Sequence, residues 1–247
     1  MKLLSFLLAT ALALPSLRAQ EEMIRTELLT LSINGLLAPG LFYRNGKEVH
    51  ELTAIDNGMS APIFYSGTRR LNLYRTEAEA SPAEDPAKAP KPALSITLPK
   101  NSDRVLLVFA FPDKKAKLPG VKAYGIDDSS LREGDYRVFN FSRQKVYVML
   151  EDKKNAISVD PGKVRELKPK GWRSKLRSIQ TTVGARIGKD IRPVYQSVWE
   201  HRPERRNFLI VFDNPDKIRP LRLSKFYDVP GYKTEGRVRA SQAAADL

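Results

Sequence analysis

Cysteine is absent from all 247 residues, and histidine occurs only twice, at His50 and His201. Without a thiol the chain has neither a disulfide nor a lipidated cysteine, so packing alone must hold it together. The two histidines lie in different halves, and no H-x-H, H-E-x-x-H or D-x-D-x-D-G pattern supplies metal ligands around them. Both therefore read as ordinary strand or surface histidines. The phosphate-cradling G-x-G-x-x-G and G-x-x-x-x-G-K-[ST] loops are missing as well, so no cofactor is expected. In DNGMSAP, Ser60 follows Gly58 by two residues, but Pro62 stands where G-x-S-x-G requires its second glycine; a structural turn is the expectation. Paired carboxylates such as Asp127-Asp128 and Glu151-Asp152 fall in predicted loops or strand ends, where charge is expected anyway. No catalytic motif emerges, and the chain reads as a non-enzyme.

What remains is a foldable globular composition, 42% hydrophobic and 9% aromatic, with a net charge of +14. Collagen, coiled-coil and disulfide-scaffold classes do not fit it. Met1-Lys2 opens a nearly uninterrupted apolar stretch, Leu3 to Leu14, followed by Pro15 and the small residue Ala19 before Gln20. A charged start, an apolar segment of that length and a small-residue exit predict a secretory signal peptide over residues 1–19. The segment falls short of the roughly 20 apolar residues that span a bilayer, and no later one approaches them. The mature chain is expected to be exported, periplasmic or secreted.

Val105 to Tyr124 (VLLVFAFPDKKAKLPGVKAY) lies over Phe208 to Tyr227 (FLIVFDNPDKIRPLRLSKFY) without a gap, at a constant offset of 103 residues. Leu106/Leu209, Val108/Val211, Phe109/Phe212, Pro112/Pro215, Asp113/Asp216, Lys114/Lys217, Leu118/Leu221, Lys122/Lys225 and Tyr124/Tyr227 are identical. The match predicts an internal repeat, each copy a continuous apolar strand, a Pro-Asp-Lys turn and a second strand ending in Tyr. Apolar runs of this kind are strands buried on both faces. Further strands are predicted in the first half at Leu28 to Ile33, Leu41 to Arg44, Glu48 to Ile55, Pro62 to Tyr65, Leu71 to Arg75, Leu94 to Leu98 and Arg104 to Phe111. In the second half they are predicted at Tyr136 to Phe141, Lys145 to Leu150, Asn155 to Val159, Val164 to Leu167, Ser178 to Ile187, Ile191 to Trp199, Phe208 to Phe212 and Leu221 to Tyr227. Asn45-Gly46 is a hairpin signal, since both residues accept positive φ.

The fold class is all-β: two tandem immunoglobulin-like β-sandwich domains related by an internal repeat. The first is expected over 20–128, with a flexible Pro/Ala-rich loop at 76–93 in which Pro82, Pro86 and Pro90 forbid a sustained helix. A linker at 129–134, a second domain at 135–230 and a disordered tail at 231–247 complete the division. Strand aromatics Tyr43, Tyr65, Tyr74, Tyr147, Tyr195, Trp199 and Tyr227 are read as core or cross-strand packing.

The charge is asymmetric. Residues 20–133 carry 15 basic and 15 acidic side chains, whereas 134–247 carry 25 and 13. The densest stretch, Lys163 to Arg177, sets Lys163, Arg165, Lys168, Lys170, Arg173, Lys175 and Arg177 against Glu166 alone, with Trp172 among them. Two expectations compete here: a solvated loop whose lysines serve solubility while Trp172 covers the edge of the core, and a surface whose cations bind an anionic partner while the Trp172 ring stacks on it, helped by Arg202, Arg205 and Arg206. For an exported protein the partner would be an anionic envelope polysaccharide, peptidoglycan or a lipid surface, with nucleic acid the least suitable. Rival functions are a protein-interaction module that pairs a sheet edge with a partner strand, and a polysaccharide hydrolase with an unrecognised carboxylate pair.

The leader, the tandem strand-rich halves and the phrases Tyr136-Arg137-Val138-Phe139-Asn140-Phe141-Ser142 and Val159-Asp160-Pro161-Gly162 give a family resemblance. The chain resembles secreted proteins of environmental bacteria with immunoglobulin-like domains, which implies tandem sandwiches and assigns no site residue. Two-domain periplasmic pilus chaperones are similar in size and basicity, but their strand signatures are absent.

Overall fold

A computed structural model describes residues 22–33, 37–56, 58–83, 88–111, 117–127, 131–187, 189–214 and 220–229. The expected leader, the Pro-Asp-Lys turns of both repeat copies, part of the 129–134 linker and the whole 231–247 tail lie outside them. The first half contains β1 (Met23–Ile33), β2 (Leu37–Asn45), β3 (Glu48–Ala54), β4 (Ile63–Thr68), β5 (Arg70–Leu73), a single helical turn α1 (Glu77–Ala80), β6 (Leu94–Thr97), β7 (Arg104–Ala110) and β8 (Gly120–Gly125). The second half contains β9 (Tyr136–Asn140), β10 (Val146–Leu150), β11 (Ala156–Val159), β12 (Val164–Leu167), β13 (Arg177–Ile187), β14 (Asp190–His201), β15 (Arg206–Asp213) and β16 (Leu221–Asp228). A 3-10 turn, Lys153–Asn155, joins β10 to β11.

Each half is a sandwich of two sheets. In the first, the order β4-β1-β7-β8 faces the pairs β2-β3 and β5-β6, which Phe42 and Tyr74 join through two backbone hydrogen bonds of 2.8 Å. In the second, β12-β9-β15-β16 faces β11-β10-β13-β14. The strand order is the same in both, including one parallel pair in each, β1 with β7 and β9 with β15.

The two mixed sheets also pack on each other, so the molecule has four β-layers and three apolar interiors. Along β7, Val105, Leu107 and Phe109 enter the first half's own core, whereas Leu106 and Val108 enter the interior between the halves. Along β15, Leu209 and Val211 enter the second half's core, and Phe208, Ile210 and Phe212 face the first half. Successive side chains of a strand point to opposite faces, so a strand apolar at every position needs apolar partners on both sides. The central layers supply them.

This geometry corrects the residue-by-residue repeat. An offset of 103 carries the pair Val105↔Gly125 onto Phe208 and Asp228, yet Phe208 pairs with Phe226. It also superposes Leu106, which faces the other half, on Leu209, which lies in its own core. A one-residue slip exchanges the faces of a strand. It still scores identities here because Leu, Val and Phe occupy both faces. The strand order repeats, and the gapless alignment is out of phase with it.

Three smaller expectations are also revised. In the β2–β3 hairpin Asn45 remains paired with Glu48, so the loop residues are Gly46 (φ 62°) and Lys47. Asn45 instead hydrogen-bonds the β4 edge, accepting from the Ser66 N–H at 2.7 Å and donating to the Phe64 carbonyl at 3.0 Å. Between β5 and β6, α1 is capped by Thr76 and ends before Pro82. This part of the expected flexible loop is fastened: Ala80 is fully buried, and Arg44 donates twice to its carbonyl, at 2.9 and 3.2 Å. The junction is likewise packed, with Leu131 buried between the halves and the Gly134 N–H donating to the Arg205 carbonyl at 2.8 Å. Gly134 has φ 77°, and a Cβ there would stand 2.6 Å from the Arg173 carbonyl oxygen. A side chain is excluded at that position on both counts.

Candidate anion-binding surface

The turn between β10 and β11 and the loop between β12 and β13 meet at one end of the second sandwich. Asp152 caps the 3-10 turn, its Oδ1 accepting from the N–H groups of Lys154 (2.8 Å) and Asn155 (3.2 Å). Asn155 is buried, and its Oδ1 accepts from the Lys170 N–H at 2.7 Å. That bond ties the two loops together and carries Lys153 and Lys154 to the segment holding Lys168 and Lys170. The preceding turn contains Glu151 at φ 67°, a left-handed conformation uncommon outside glycine. Its carboxylate binds Arg177 (3.3 Å) and the Gln180 N–H (3.0 Å), which holds this turn to the start of β13.

Beneath the loop lies a polar chain. The Tyr136 hydroxyl donates to His201 Nδ1 at 2.9 Å, and His201 Nε2–H donates to the Arg173 carbonyl at 2.8 Å. The carbonyl acceptor assigns the proton to Nε2, leaving Nδ1 free to accept. Burial disfavours the charged forms, lowering the His201 pKa and raising that of Tyr136. Asp135, fully buried beside them, has no hydrogen-bond partner on either carboxylate oxygen among the described residues, and Arg173 Nη1 stands 3.8 Å away. Burial raises its pKa against the pull of Arg173.

The structure divides the predicted binding residues. Trp172 is not a surface ring. It is 6% exposed, lies in the second core and meets His201 edge-on with centroids 4.8 Å apart. Arg206 is not a surface cation either, being 2% exposed and donating to the Ile126 carbonyl at 2.5 Å across the junction. The reading in which Trp172 covers the edge of the core therefore holds and the one that makes it a binding ring does not, while Arg206 was expected outside because its charged neighbours in sequence do not show which layer covers it. Arg173 and Arg177 are held by Asp135 and Glu151, and Arg202 by Glu200 (2.9 Å) and Glu204 (3.8 Å). Arg205 stacks on Tyr227, 3.9 Å from the ring centroid.

Lys163, Arg165, Lys168, Lys170 and Lys175 are exposed. Of these, Lys168 is paired, to Glu166 at 3.5 Å. Arg165 donates to the Ser158 carbonyl at 3.1 Å and, with Arg137, Glu166 and Lys168, lines an open cleft of about 650 Å³ against Tyr124 and Gly125 of β8. Lys153 and Lys154 join this surface without having been predicted. Their adjacency in sequence was a signal, but the tie from their turn to the 168–175 loop, through Asn155, is a tertiary fact.

Elsewhere the chemistry is structural. Ser60 Oγ accepts from the Thr30 N–H (2.9 Å) and donates to the Ala61 carbonyl (2.8 Å), as a turn residue would. His50 lies on β3, 3.2 Å from Glu48. Tyr43, Tyr65 and Trp199 are buried, while Tyr227 is 53% exposed beneath Arg205. Among the described residues no group of three or more His, Asp or Glu is placed to hold a metal ion, and no helix is long and apolar enough to cross a membrane. No protein-family model matches the chain, and no curated protein matches it in sequence.

Proposed function

We propose that this is an exported, non-catalytic binding protein that holds an anionic polymer or surface through the lysine-rich end of its second sandwich. One observation carries the reading: the Asn155–Lys170 hydrogen bond ties the turn of Lys153 and Lys154 to the segment of Lys168, Lys170 and Lys175, five lysines of which only Lys168 has a carboxylate partner, Glu166, among the described residues. A solvated charge run has no need of a buried asparagine to assemble it from two loops. Ammonium groups on flexible stems suit phosphate, sulfate or carboxylate groups presented repeatedly and without fixed geometry. Export rests on the leader at residues 1–19, and the immunoglobulin-like character of each half on its eight-stranded order.

The test is retention of the chain lacking residues 1–19 on purified peptidoglycan, envelope polysaccharide and anionic vesicles over a salt series. Retention should fall steeply with salt, since each neutralised anionic group releases counterions. Changing Lys153, Lys154, Lys168, Lys170 and Lys175 to Gln together should abolish it. Retention that survives both treatments would refute the reading.

A further inference from the structure

The strands at the sheet margins are not treated alike. β4 is covered by the Asn45 side chain and by the Gly46 N–H, which donates to the Ser66 carbonyl at 3.1 Å. β6, the counterpart of β14 in the first sandwich, has only four residues. β14 has 12 and pairs with β13 alone among the described residues. It contains no lysine, and its one proline, Pro193, lies beside the register shift at Val183/Gly184. Proline and a bulge blunt an edge, so the start of β14 is protected and the stretch from Tyr195 to Glu200 is not.

The register identifies which backbone groups are open. Glu151 N–H donates to the Gln180 carbonyl at 2.7 Å and Arg186 N–H to the Lys145 carbonyl at 3.4 Å. Gln180, Thr182 and Gly184 therefore direct their backbone groups to β10, and Ile179, Thr181 and Val183 direct theirs to β14. The partners of the latter, Trp199, Ser197 and Tyr195, complete that ladder. The N–H and C=O groups of Gln196 and Val198 are left facing outward, the Val198 carbonyl with a long contact from the Ser197 hydroxyl (3.5 Å), and the Glu200 carbonyl accepts Lys225 Nζ at 3.4 Å. The Val198 side chain is 63% exposed beside this row.

We propose that the Tyr195–Glu200 edge of β14 binds an extended, acidic segment of another protein by main-chain strand addition. The charge around the edge selects the occupant. Lys225, its ammonium 4.8 Å from the Trp199 ring centroid, and Arg205 stand at one end without a carboxylate partner among the described residues, while Glu200 is paired with Arg202 (2.9 Å) and Arg192, at the other end, with Asp190 (3.7 Å). A second copy would bring another half with 25 basic and 13 acidic residues against the first. The inference rests on the open edge and is independent of the lysine-rich end.

The test uses the chain lacking residues 1–19 and a capped heptapeptide of alternating valine and glutamate, with amide hydrogen exchange followed by NMR. The peptide should slow exchange at Gln196 and Val198 by about tenfold or more, as new main-chain hydrogen bonds do. The same peptide N-methylated at alternate residues should have no effect, and a valine–lysine peptide should bind at least about tenfold more weakly at low salt. Val198→Pro, which removes an N–H that β13 does not use, should abolish the response. The five-lysine variant should retain it, which separates this inference from the anion-binding reading. The proposal is overturned by unchanged exchange at about 1 mM peptide, the weak end of specific affinity. Equal binding of the N-methylated peptide would also overturn it, as would a dimer that already protects these amides.

Discussion

Arg104 at the start of β7 reaches from the first sandwich to Asp228 at the end of β16, its Nη1 2.5 Å from Oδ2. The same guanidinium binds Glu27 through Nε at 2.7 Å, and Arg206 approaches Asp228 at 3.6 Å. Arg137 adds bonds to the Gly125 carbonyl and to Glu166. Two buried arginines, Arg137 and Arg206, and the half-buried Arg104 thus join the halves beside the apolar interior. Removing one member of a buried ion pair leaves its partner uncompensated, so Asp228→Ala should cost about 3–5 kcal/mol. Urea unfolding measures it; a loss below about 1 kcal/mol would show the network to be solvated.

The interior between the halves predicts that they are not independent. Leu29, Leu31, Leu106, Val108, Phe139, Phe208, Ile210 and Phe212 would all be exposed on separation. Either half expressed alone should self-associate or precipitate, because a contiguous apolar face of this kind is not tolerated in water. Sedimentation of each half checks this, and two soluble monomers would contradict it.

His201 makes stability fall in acid. Its ordinary pKa is 6.5 and burial lowers the folded value. Below 6.5 the unfolded chain takes up a proton that the folded chain refuses, so this stability is complete above that pH and is lost as pH drops toward the folded value. His201→Gln should flatten the dependence of the urea midpoint on pH between about 7 and 5. An unchanged slope would place the titration elsewhere.

Asp135 acts in the opposite direction. Its pKa is raised above 3.8, so its contribution is complete below that pH and is lost as pH rises through the folded value. At neutral pH a buried charge without a hydrogen-bond partner is a cost. Asp135→Asn should therefore raise the thermal midpoint at pH 7, by a few degrees for each kcal/mol recovered. A fall would mean that the pair with Arg173 outweighs desolvation.

Trp172 and the lysines should separate stability from binding. Trp172→Ala empties part of the second core and should cost about 3–5 kcal/mol. Each lysine substitution at 153, 154, 168, 170 or 175 should lie within about 0.5 kcal/mol of the unmodified protein. Chemical denaturation read beside retention distinguishes the two. A folded, stable Trp172→Ala chain would return Trp172 to the surface.

Much of the architecture was legible in the residues themselves. Alternation at Leu94, Ile96 and Leu98, turn residues between apolar runs and the prolines at 82, 86 and 90 determined where strands form and where a helix longer than the single turn α1 is excluded, because these are properties of the local backbone. The runs at Val105 and Phe208 also declared burial on both faces. What covered the second face was decided only when the two mixed sheets packed together, and that contact set the phase in which Leu106 and Leu209 point to different interiors. Accessibility followed the same division. Charge in the second half was plain from composition, but Arg206 went inside and the turn of Lys153 and Lys154 was tied to the Lys170 segment through Asn155, by contacts distant in sequence. A side chain's type sets what it does when exposed; only the layers folded around it decide whether it is.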